Sequence, residues 1–161
     1  MNQTTLTPAP PQGAPGVTGA TSVVDLNTVL QTVLEHRQEK LHGLQAILRC
    51  DRLPVVHGEE PAWLVMLTRL TDIVLDRPPV ASKLFLYIRC EPEKGSPEES
   101  ERRYAISFHT NCSSDSSLEI HHAAALQECG AVCHAAGGTF SYYFLSPSRC
   151  LFTLTIPGKI S

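Results

Sequence analysis

The order in which helical and strand periodicities alternate restricts this chain more than any other feature. Asp25 is suited to cap a helix in which Leu26, Val29, Leu30, Val33, Leu34 and Leu41 recur at helical spacing, and Gly43 is a natural terminator. The short apolar stretch from Gln45 to Cys50 reads as a strand. Pro61 suits the first turn of a second helix with the stripe Leu64, Leu67, Leu70 and Val74, which Pro78 and Pro79 stop. Residues 83–90 are dense in strand formers, and residues 103–109 alternate apolar with polar; the two predict an antiparallel pair across the charged, breaker-rich segment 91–101. A polar run at 111–117 precedes a small-residue helix from about Ile120 to Ala135, ended by Gly137-Gly138. Strands at 139–145 and 150–156 are joined by the turn Ser146-Pro147-Ser148. The order α-β-α-β-β-α-β-β predicts an α+β fold, a two-layer sandwich with helices on one face of a mixed sheet.

At 161 residues the chain holds one domain plus a tail, and 42% hydrophobic residues suffice for a core. Thirteen Lys and Arg against 16 Asp and Glu give a formal charge of -3, which disfavours nucleic acid as a partner. No apolar run reaches the roughly 18 residues that a membrane span needs. Residues 1–21 carry Pro8, Pro10, Pro11 and Pro15 and no charged side chain, so they are expected to be a disordered leader before a domain at 22–161. They form no secretory signal, and the six cysteines therefore read as reduced thiols of a cytoplasmic protein. No spacing is the C-x-x-C of a zinc ribbon; the nearest metal candidate is Cys129 with Cys133 and His134 on one helical face, which would need a further ligand such as Cys112 or His121.

Four local sequences carry a family resemblance. Val24-Asp25-Leu26-Asn27-x-Val29-Leu30 resembles the entry into the first helix of the ATP-binding domain of sensor histidine kinases, a fold shared with Hsp90, gyrase B and MutL. Leu53-Pro54-Val55-Val56-His57-Gly58, with Glu59 at an acidic place, resembles the lead into the next helix of that family. His134-Ala-Ala-Gly-Gly138 resembles its Glu-x-His-Gly-Gly segment, and Phe152-Thr-Leu-Thr-Ile-Pro157 resembles its closing strand. The resemblance spans about residues 23 to 158 and implies the two-layer ATPase fold.

The segments that carry the family's chemistry depart from its pattern. The resemblance places Arg69 and Ile73 where two asparagines belong, the second of them a magnesium ligand. Isoleucine offers no oxygen to a hard cation, and Asp72 is rotated by about a quarter-turn of helix from that place. Thr110 stands where an aspartate would hold the adenine amino group, and Cys112 and Ser114 replace the two glycines that follow. The phosphate-loop glycines correspond to His121-His122-Ala123-Ala124-Ala125-Leu126, where His121, Ala123 and Ala125 supply a Cβ at each glycine position. An alanine run favours helix, so this loop is expected to be absorbed into a longer helix.

These losses predict that ATP and magnesium do not bind. The leading expectation is a non-catalytic interaction module of two-component signalling that docks on a kinase helical hairpin or a response regulator, with a homodimer as a second option. One alternative is a residual ATP-binding kinase in which Asp72, Thr110 and Asn111 improvise a site. The other is a small-ligand sensor with His121, His122 and Cys112 at the rim of the vacated pocket. Glu35-His36-Arg37 contains residue types of a phosphoacceptor motif in the wrong order, so His36 reads as a charged helix face.

Overall fold

The computed structural model describes residues 22–79, 82–94, 102–114, 116–146 and 149–160. The expected leader at 1–21, most of the charged connection (95–101) and Pro147-Ser148 lie outside these residues. The elements run β1 (Val23–Asp25), α1 (Leu26–His36), α2 (Gln38–Gly43), β2 (Ile47–Cys50), β3 (Val55–His57), α3 (Glu60–Leu75), β4 (Phe85–Pro92), β5 (Arg103–Thr110), α4 (Ser116–Ala135), β6 (Thr139–Ser146) and β7 (Arg149–Lys159). The sheet order is β1-β3-β7-β5-β4-β2, with β6 also paired to β7. Only β2 and β4 run parallel among these pairs, so the sheet is mixed, as the alternation of periodicities implies.

Strand periodicity decides which face meets the helices. In β5 Tyr104, Ile106, Phe108 and Thr110 are buried, and in β7 Cys150, Phe152, Leu154 and Ile156 are. The two sets meet in register, Ile106 opposite Leu154 and Phe108 opposite Phe152. Above them α3 buries Trp63, Met66, Leu67, Leu70, Ile73 and Val74, while α1 adds Leu26, Val29, Leu30 and Val33. Each large apolar side chain so buried contributes about 1.5–3 kcal/mol relative to exposure.

Three details differ from the sequence reading. The first helix breaks at Arg37, where φ is -109° and ψ 10°, and the guanidinium there turns across to Asp72 of α3. Val23–Asp25 and Val55–His57 form short strands, three residues each, too brief to show a periodicity. Beside them the Asn27 amide imitates a strand pairing: Leu53 N–H donates to its Oδ1 at 2.8 Å, and its Nδ2 donates to Leu53 O at 2.7 Å. Finally, α4 begins at Ser116 rather than near Ile120, because the serines of the polar run join its first turn.

Two glycine sites follow from close approach. Gly58 has φ 131°, and a Cβ there would lie 2.7 Å from Trp63 Nε1, which donates to His57 O at 3.2 Å. Gly137, at φ 85°, closes α4 in the left-handed conformation usual for a helix end. Gly138 N–H then donates to Cys133 O at 2.8 Å, and a Cβ on Gly138 would strike Thr155 O.

Candidate functional site

The positions that the resemblance assigns to a nucleotide fall between α3, the segment after β5, and α4. Ile73 is 1% exposed and belongs to the core. On the outer side of α3, Arg69 pairs with Glu128 of α4, clasping the two helices. Deeper in, Cys129 Sγ lies 3.8 Å from Met66 O. A shallow cleft of about 510 Å³ remains at this clasp, lined by Arg69, Ala124, Ala125, Gln127, Glu128 and Ala131.

The polar candidates nearby are engaged in holding the fold. Asp72 accepts a two-pronged ion pair from Arg37, with Nε to Oδ1 at 2.6 Å and Nη2 to Oδ2 at 3.0 Å. That bond raises the Arg37 pKa further above its ordinary value. Thr110 is buried, and its Oγ1 accepts from Cys112 N–H at 3.3 Å. Asn111 secures the approach to β4: its Oδ1 accepts from Phe85 N–H at 2.9 Å, and its Nδ2 donates to Lys83 O at 2.9 Å. Asp72, Thr110 and Asn111 are thus each bound to a separate partner.

Arg77, just beyond α3, grips the segment after β5. Its Nε donates to Ser113 O at 2.9 Å, its Nη2 to Ser117 Oγ at 3.1 Å, and its backbone carbonyl accepts from Ser113 N–H at 2.7 Å. Cys112 is fully buried, Ser114 nearly so, and Cys112 Sγ lies 3.3 Å from Cys150 Sγ at the start of β7. Sequence reasoning singled out none of Arg37, Arg77, Glu128 and Cys150 as functional. Their importance arises from pairings across 35 or more positions, which leave no local signal.

Residues 121–126 lie inside α4, which kinks at His122 (φ -116°, ψ 16°). His121 and Ala123 are exposed, and Ala125 is half-buried. Cys129 and Cys133 point into the core, whereas His134 is exposed, so the three do not converge. No group of three His, Cys, Asp or Glu able to hold a metal ion forms among the described residues. His36 is exposed at the end of α1. A larger groove of about 840 Å³ lies elsewhere, between α1, α2 and the edge strand β2, with Leu30, Leu34, Leu41 and Leu48 in its wall. No helix among the described residues is long and apolar enough to cross a membrane.

No protein-family model matches the chain, and no curated protein matches it. Solved structures do. A mycobacterial sensor histidine kinase, MprB, superposes with a TM-score of 0.69 at 12% identity, over 88% of this chain and 100% of that one. The nucleotide-free catalytic domain of the histidine kinase ThkA gives 0.65 at 12% identity, over 88% and 99%. Full-length ShkA in complex with AMPPNP gives 0.65 at 12% identity, over 88% of this chain and 32% of that one. The fold is that of a histidine-kinase catalytic domain, as the four local sequences imply.

Proposed function

We propose that this domain is a histidine-kinase-like module that no longer uses ATP and acts in two-component signalling through protein contact. The observation that carries the reading is the commitment of the nucleotide-site positions to packing. Ile73 is core, Asp72 is bound to Arg37, Arg69 is clasped to Glu128, and the phosphate-loop segment is helix apart from the kink at His122. Magnesium requires oxygen ligands, and a close-approach phosphate loop requires backbone amides free of helix and of Cβ atoms. Of its structural neighbours, ShkA holds AMPPNP, which makes the contrast at these positions testable. The partner on this reading is a kinase-type helical hairpin or a response regulator, with a second copy of the chain as the other choice. Fold alone does not carry chemistry, so the site must decide.

The test is a thermal-shift titration with Mg-ATP up to millimolar concentration. Ligand at 100 times its dissociation constant would add about 2.7 kcal/mol of stability. The proposal expects no shift. A saturable, magnesium-dependent shift would support a residual ATP-binding kinase instead.

A further inference from the structure

We propose that Cys112 and Cys150 form an oxidative modification site, a buried dithiol that a peroxide converts to an intramolecular disulfide. The geometry is already close. The two sulfurs stand 3.3 Å apart, with the Cys112 thiol donating toward Cys150, and bonded sulfurs lie about 2 Å apart. The register places Thr110 opposite Cys150, so residue 112 leaves β5 just beside the start of β7.

The environment separates the roles of the two thiols. Hydrogen bonds from Cys112 and Ser114, with the Arg77 charge nearby, hold the Cys150 thiol below its ordinary pKa despite burial. Cys112 moves the other way, raised by its bond to Cys150 and by burial. Cys50, which is exposed, and half-buried Cys90 are pushed up to about 11 by partial desolvation and the Asp51 charge beside them, and Cys129 and Cys133 to about 12 by burial. Within the pair Cys150 is the thiol held toward its thiolate, and the first attack is assigned to it.

The chemistry balances with hydrogen peroxide as oxidant. The Cys150 thiolate attacks one peroxide oxygen and breaks the O–O bond; the departing hydroxide takes a proton and leaves as water. The product is a sulfenic acid on Cys150. Cys112 sulfur then attacks the Cys150 sulfur and displaces the hydroxyl, which leaves as a second water with the Cys112 proton. Two thiols and one peroxide give one disulfide and two waters, and the sulfurs supply the two electrons the peroxide accepts. The bond closes a loop containing α4 and β6, and it fixes the segment that Arg77 holds to β7.

The test uses the full chain, reduced, desalted and treated with hydrogen peroxide under native conditions. Expected are a loss of two hydrogen masses reversed by dithiothreitol, and a cross-linked peptide joining Cys112 to Cys150. Closing so long a loop should raise Tm by roughly 5–10 °C. Cys112→Ser should instead leave a sulfenic acid on Cys150 that dimedone traps, while Cys150→Ser gives neither product. The double variant Cys50→Ser/Cys90→Ser should still form the disulfide. A cross-link at another pair, or oxidation of Cys50 or Cys90 with Cys150 intact, overturns the proposal. Should either single variant fail to fold, peptide mapping of the wild-type chain decides alone.

Discussion

Ile73→Asn restores, at the place a magnesium ligand would occupy, the residue type that the histidine-kinase pattern carries there. In this protein it should damage the fold and recruit nothing. Ile73 is 1% exposed in the core shared by α3 and the sheet. Its removal forfeits about 1.5–3 kcal/mol of apolar burial. The new amide, buried in the core rather than in water, adds about 1–3 kcal/mol for unmet hydrogen bonds. A total of about 2.5–6 kcal/mol is a large part of the roughly 5–15 kcal/mol that holds a domain folded. Trp63, the sole tryptophan and fully buried, reports unfolding by fluorescence in urea. With a slope of about 1–3 kcal/mol per molar, the midpoint should fall by roughly 2 M. Ile73→Val is the control and should cost about 0.5–1.5 kcal/mol. An Ile73→Asn midpoint near wild type, or one that recovers on addition of Mg-ATP, refutes the reasoning.

Three other outcomes are expected. Thr71 is buried with its Oγ1 unpartnered among the described residues, so Thr71→Val should be neutral or stabilise by up to about 1 kcal/mol in the same urea assay. Gly138→Ala forces a Cβ into Thr155 O at the α4–β6 corner and should cost about 1–3 kcal/mol, measured as a drop in Tm. His109 has its pKa lowered, first by desolvation and then by Arg89 and Arg149. The unfolded chain therefore binds the proton more readily, and stability should fall as pH drops below about 6.5, through the unfolded value toward the folded one. His109→Gln should flatten that part of the stability–pH curve relative to wild type.

The architecture was legible because long elements carry repeated signals. The eight-residue alternation of β5 and the apolar stripe of α3 each commit many side chains to one face. The three-residue strands β1 and β3 have no such redundancy; they pair with each other, and β3 also with the closing strand β7, all from far along the chain. At the candidate site the sequence revealed which residue types had changed, and helix through residues 121–126 followed from their alanines. It did not reveal that Asp72 is bound by Arg37, since that depends on the helix break at Arg37 itself. Nor did it reveal that Cys112 meets Cys150, a pairing made by strand register rather than by spacing.

The central claim is that the fold persists while the nucleotide positions have been given over to packing. A crystal soaked with a nonhydrolysable ATP analogue and magnesium tests it most directly. The account predicts no nucleotide density between α3 and α4, with Arg69 still on Glu128 and Arg37 still on Asp72. Density for the analogue in that cleft, with a cation coordinated beside α3, would contradict it.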